Sequence, residues 1–150
     1  RVMISEPTFQ WERNGVVNEG PVVLKNREGK VFLVYSACGC WTDDYKLGIL
    51  SLGENADPLD PDGWVKQGHP VFTKNIANNV YATGHNSFFK SPDGREDWHL
   101  YHANDNRGDG CGKLRSPRIQ KVTWTAEGFP VFDVPASTEQ KLAVPSFTSE

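Results

Sequence analysis

The sequence predicts an all-β fold built as part of a β-propeller, and three observations carry that reading. A short phrase occurs three times, as Glu6-Pro7-Thr8-Phe9, His69-Pro70-Val71-Phe72 and Phe129-Pro130-Val131-Phe132. Its closing Phe recurs about every 60 residues, a period that suits a stack of small repeated units. Between the markers the chain runs the same course twice, as short apolar runs separated by turns. No stretch holds an apolar period of 3.6 residues, so nothing competes as a long helix. Four short strands per period describe a propeller blade. A β-sandwich with coincidental Phe spacing is the rival architecture.

Each element follows from its residues. In the first unit Asn18-Glu19-Gly20-Pro21 opens onto the apolar run Val22-Val23-Leu24, and Asn26-Arg27-Glu28-Gly29 makes a turn. The run Val31-Phe32-Leu33-Val34-Tyr35 then returns, giving a hairpin. A third strand is expected over Lys46–Leu52, and a fourth leads into the next Pro-x-Phe phrase. The second unit repeats this with Ser87-Phe88-Phe89-Lys90, the turn Ser91-Pro92-Asp93-Gly94, the strand Trp98–Ala103 and a third strand over Arg118–Trp124. Tyr35 and Tyr101 occupy corresponding places. The boundaries that result are 1–16 for the end of a preceding blade, 17–75 and 76–135 for two blades, and 136–150 for a C-terminal tail.

Composition narrows the class. The chain has 150 residues with 14 Gly and 10 Pro, enough for one core and many turns. A formal net charge of −3 without basic clusters argues against nucleic acid as a partner. No apolar run approaches the roughly 20 residues that cross a bilayer, and no secretion signal is recognisable. Propellers close with about 4–8 blades. Two blades alone would leave unpaired faces, so the sequence is expected to belong to a longer protein.

Cys38 and Cys40 follow the second strand of one unit, and Cys111 lies in the corresponding loop of the next. Corresponding loops of adjacent blades are neighbours, so Cys111 can pair with either of the first two. A Cys38–Cys40 bridge would be strained. A zinc site is the competing reading, although no His stands at a suitable spacing. A structural disulfide would place the protein outside the cell.

Several of these phrases together resemble glycoside hydrolase family 43. They are Asn18-Glu19-Gly20-Pro21, Tyr35-Ser36-Ala37, Trp41-Thr42 to Tyr45-Lys46-Leu47-Gly48, Gly84-His85-Asn86-Ser87-Phe88, Ser91-Pro92-Asp93-Gly94, Tyr101-His102-Ala103 and Arg118-Ile119-Gln120-Lys121. The likeness covers nearly the whole chain in order and is most marked toward exo-acting α-L-arabinofuranosidases. It implies the C-terminal half of a five-bladed propeller with its active site in the central funnel. It also implies an inverting hydrolysis, which needs one carboxylic acid and one carboxylate base. By the resemblance Glu19 is the general acid. The base and a second aspartate that tunes the acid belong to earlier blades, so this chain by itself is expected to be inactive. Asp43, Asp44, Asp93, Asp105 and Asp109 sit in loops and read as turn formers.

The resemblance extends to the pocket. His85, near the start of its inner strand, is expected at nearly the place Glu19 holds in the preceding unit. There it would reach a channel calcium through water, though no cofactor is required; a hydrogen-bonded core histidine is the plainer reading. Arg115, and after it Arg118, are the candidates for a guanidinium in the funnel. Trp41 and Tyr45 could offer flat faces to a furanose ring or serve as packing between blades. His99 and His102 read as structural and His69 as exposed. The partners implied are an oligo- or polysaccharide and the earlier blades of the same propeller, with no nucleic acid and no membrane. The sequence leaves open three functions: an extracellular α-L-arabinofuranosidase acting on arabinan or arabinose-substituted polysaccharide, a β-xylosidase with the same machinery, and a carbohydrate-binding propeller without catalysis.

Overall fold

The structure, a computed structural model, describes residues 1–147. Eight strands form two four-stranded antiparallel sheets. The first runs β1 (Asn18–Lys25), β2 (Val31–Ala37), β3 (Lys46–Leu52) and β4 (Trp64–Lys66) in that spatial order. The second repeats it with β5 (Tyr81–Lys90), β6 (Asp97–Asn104), β7 (Ser116–Trp124) and β8 (Pro130–Phe132). Every strand pairs with its neighbour in sequence, so each sheet is an up-and-down blade. The only helical pieces among the described residues are 3-10 turns at Gln10–Glu12 and Pro61–Gly63.

The fourth position differs between the blades. In the second, the Pro-x-Phe phrase is itself the strand β8. In the first, β4 ends at Lys66, and the phrase follows as a separate segment that meets β3 farther along. There Leu47 N donates to Phe72 O at 2.9 Å and Val71 N to Leu47 O at 2.9 Å. Gly68 and Pro70 account for the break, because Pro70 has no N–H to continue a ladder. Strand β7 also begins earlier than the sequence indicates, at Ser116.

The repeated Phe residues anchor one core that spans both blades. Phe72 lies edge-on to Tyr101 at 4.7 Å and to His99 at 4.8 Å between ring centroids, and Phe132 meets His99 at 5.2 Å. Leu47, Ile49 and Val34 from the first blade complete this layer with Val122 and Ala103 from the second. Alternation puts these side chains on one face of each strand.

A buried ion pair fastens the segment before β1. Glu12 is fully buried, and Lys66 Nζ lies 2.8 Å from its carboxylate. The carboxylate also accepts from Tyr35 Oη at 2.9 Å, Asn18 Nδ2 at 3.0 Å and Phe9 N at 2.9 Å. Burial pushes the Glu12 pKa up, but Lys66 and these donors outweigh it and hold it below the usual carboxylate value. The Lys66 ammonium stands over the Phe9 and Tyr35 rings at 5.5 and 5.3 Å.

His99 is wholly buried with neither ring nitrogen hydrogen-bonded, and burial drives its pKa from 6.5 to about 3. The folded protein thus keeps His99 neutral where the unfolded chain takes a proton. The unfolded state binds more protons between those values, so stability is full above pH 6.5 and falls as pH drops toward 3. Each pH unit in that window costs about 1.4 kcal/mol. His99→Phe in the intact protein is expected to flatten this acid slope, read as urea midpoints between pH 4 and 7.

Candidate active site

Glu19 owes its place to a bulge. Strand β1 pairs Glu19 with Ser36 and next Val22 with Val34, so one extra residue is inserted over Gly20 and Pro21. Gly20 turns the backbone with φ at +55°, a conformation that glycine adopts freely. Strand β5 carries the same insertion, pairing Gly84 with His102 and Ser87 with Leu100. Here His85 holds the left-handed position, φ +54°. Its N–H donates to Ser36 Oγ across the blade boundary at 2.7 Å, which pins the conformation.

The expected equivalence is therefore off by one residue. Gly84, not His85, stands where Glu19 stands, and His85 matches Gly20. The cause is the outer turn: Lys25 pairs with Val31, whereas Lys90 pairs with Asp97, so the second turn is longer by one residue. The absence of a side chain at Gly84 has a consequence. The Tyr45 ring fills that space, and a Cβ on Gly84 would overlap it. The His85 ring rests against Gly20, with its nearest atoms 3.5 Å from where a Cβ would lie.

These placements converge on Glu19, which is half-buried. Tyr45 Oη donates to Glu19 Oε1 at 2.6 Å and approaches His85 Nδ1 at 3.4 Å. Tyr45 is itself fully buried, so its ring has no free face for a sugar. It packs between the blades against Gly84, the other reading of its place in the sequence, and adds a hydrogen bond to Glu19. Burial and the Glu19 carboxylate push the Tyr45 pKa up, while Ser36 and Arg115 pull it partly back. His102 stacks on His85 at 6.1 Å. Burial, and then the charges of Arg115 and His85, lower its pKa. His102, read from sequence as structural, thus faces the same recess. Its correspondence to Ser36, each one residue beyond the matched Tyr35 and Tyr101, is the signal that would have found it.

The remaining candidates divide. Arg115 lies close enough to bear on Tyr45 and His102, and its Nε is buried without a partner among the described residues. Arg118 donates from Nη2 to Asp105 Oδ1 at 2.7 Å and from Nε to Ser116 Oγ at 3.3 Å, and its Nη1 is likewise buried without a partner among the described residues. Trp41 is 61% exposed, its indole laid over Gly39 and Gly15. Next to it, Cys40 is bonded to Cys111 with their Cα atoms 5.2 Å apart, tying the two site-side loops together. Asp43 adds a second tie by accepting from Gly108 N at 2.9 Å. Cys38 remains a buried thiol donating to Trp11 O at 3.2 Å. His69 is exposed. A cavity of about 650 Å³ opens elsewhere, at the outer rim between Lys30, Phe32, Leu52 and Phe129.

A metal finds little to hold it. Among the described residues no three His, Cys, Asp or Glu side chains come together as a ligand set. Calcium takes about 6–8 oxygen ligands, and His85 offers one imidazole edge. These residues by themselves do not fit a calcium ion.

Residues 1–130 match the family model described as glycosyl hydrolases family 43. The chain belongs to that family. Among curated relatives, a Streptomyces avermitilis protein named extracellular exo-alpha-(1->5)-L-arabinofuranosidase is 44% identical over 140 residues, 89% of this chain and 28% of that protein. Alpha-L-arabinofuranosidase 43 of Humicola insolens is 41% identical over 140 residues, with the same coverage of 89% and 28%. The crystal structure of an alpha-L-arabinofuranosidase from Lactobacillus brevis superposes with a TM-score of 0.83 at 38% identity, covering 93% of this chain and 44% of that one. A thermostable family-43 glycoside hydrolase gives a TM-score of 0.81 at 31% identity, covering 98% of this chain and 45% of that one. The family 43 chain thus spans under a third of the length of these curated relatives. It comprises about two blades of the family's five-bladed propeller.

Proposed function

We propose that the protein containing this family 43 chain is an extracellular, exo-acting α-L-arabinofuranosidase that works with inversion, and that Glu19 is its general acid. One observation carries the reading: a half-buried carboxylate on a backbone bulge, with one oxygen held by a buried hydroxyl at 2.6 Å. The names of the relatives supply the sugar, and that of the Streptomyces avermitilis protein supplies the extracellular setting. A disulfide between site-side loops agrees with that setting.

Inversion requires a second carboxylate on the opposite face of the sugar to activate water. That base is assigned to blades outside this chain, and the chain alone is expected not to hydrolyse glycosides. Arg115 and the exposed Trp41 are the groups here best placed to meet the substrate, the first as a donor to hydroxyls and the second as an apolar face. The substrate is tested with intact protein by para-nitrophenol release. The α-L-arabinofuranoside should be cleaved at least about a hundredfold faster than the β-D-xyloside, a difference of about 2.7 kcal/mol in transition-state binding. Preference for the xyloside would establish the xylosidase alternative, and inactivity on both would favour a binding propeller.

A further inference from the structure

We propose that Tyr45 is a positioning residue that decides which oxygen of Glu19 carries the transferable proton. The inference rests on the reading of Glu19 as general acid. Tyr45 Oη donates to Oε1, whereas Oε2 receives no hydrogen bond among the described residues. An oxygen that accepts so short a bond is the poorer place for a proton, so the acid form is O–H at Oε2 and C=O at Oε1.

The hydroxyl cannot easily turn away. The Tyr45 ring is wedged against Gly84, where even a methyl group would displace it. Ser36 Oγ is occupied as acceptor for His85 N at 2.7 Å. Of the two acceptors within reach of Tyr45 Oη, Glu19 Oε1 at 2.6 Å is much nearer than His85 Nδ1 at 3.4 Å, so the Tyr45 proton is directed to Glu19.

The chemical consequence follows the charge. The Oε2 proton passes to the glycosidic oxygen as the bond from that oxygen to the anomeric carbon breaks. The bonding pair leaves with the departing alcohol. A water oxygen forms the new bond to the anomeric carbon and gives its proton to the base carboxylate. Glu19 is left as an anion, and the bond from Tyr45 strengthens as that charge develops. An interaction stronger in the transition state than in the ground state accelerates the step.

Tyr45→Phe keeps the ring and removes the donor. In the intact protein it should move the alkaline limb of kcat/KM upward by about one pH unit. It should also lower kcat on an unactivated linkage by roughly tenfold to a hundredfold, with KM nearly unchanged. Tyr45→3-fluorotyrosine preserves the shape with a more acidic hydroxyl, so the limb should move the other way. This second variant decides the matter if the first does not fold. An alkaline limb that stays in place in the folded variants, or equal loss on activated and unactivated leaving groups, would overturn the assignment. Glu19→Gln run in parallel separates the two readings. If it abolishes turnover of the unactivated linkage while Tyr45→Phe leaves the limb fixed, Tyr45 alone is misassigned. If it leaves that turnover intact, both readings fail together.

Discussion

Glu19→Gln in the intact protein is expected to lower kcat on a natural arabinan linkage by about a thousandfold, the scale of a lost general acid. The amide keeps the shape and the contact with Tyr45 but has no proton of suitable acidity to give. An arabinofuranoside with an activated aryl leaving group departs as a stabilised anion and needs little protonation, so its loss should be far smaller. The ratio of the two losses is the diagnostic quantity. A residue that only binds hydroxyls would cost both substrates alike, and a residue that only supports the fold would lower the melting temperature as well. The alkaline limb of kcat/KM should vanish in the variant, because the group whose deprotonation shuts off the enzyme is gone.

Lys66→Met should be the most damaging single change to stability, by about 3–5 kcal/mol at neutral pH. Removing the ammonium strands the fully buried Glu12 carboxylate among Tyr35, Asn18 and Phe9. In the native protein the Glu12 pKa is held below 4.5, so its contribution is present above that value and is lost as pH falls through the folded one. In the variant, burial is no longer opposed by Lys66, and the shift should reverse. The destabilisation should therefore shrink on acidification, because protonating Glu12 removes the uncompensated charge. Urea midpoints at pH 7 and pH 4 show this directly. Glu12→Gln together with Lys66→Met should recover much of the loss, since it removes both charges at once. Because Asn18 belongs to the same network and precedes Glu19, the single variant should lose activity as well as stability.

The blades were legible because their signals are local. Pro-x-Phe phrases, Gly- and Asn-containing turns and apolar runs of strand length each act over a few residues, and the two sheets fall where those signals stand. The register inside the site was not legible. It depends on one extra residue in the turn between β5 and β6, which a match made at Tyr35 and Tyr101 carries unseen to the inner strand. That slip placed His85 opposite Glu19 and concealed the empty position at Gly84. For Tyr45 the sequence offers a face for a sugar or packing between blades, and it shows neither the choice nor the hydrogen bond to Glu19. Its role required knowing that Gly84 lacks a side chain in the place it fills, a fact shared between two blades. The choice of Cys40 over Cys38 likewise needed the third dimension, since either lies within reach of Cys111 along the chain.

The twin bulges separate two kinds of information. Gly20 and His85 share one backbone shape, with φ of +55° and +54°, yet only the first is a residue to which that shape comes freely. A left-handed histidine gives up roughly 1–2 kcal/mol against glycine. The scaffold thus offers the same socket twice, and the second copy trades conformational ease for an imidazole leaning on the first. A glycine at position 85 would relax the chain and remove the ring that rests against Gly20. The strain at His85 is held in place by the bond from His85 N to Ser36 Oγ, so the first blade supports the shape that the second could not adopt freely.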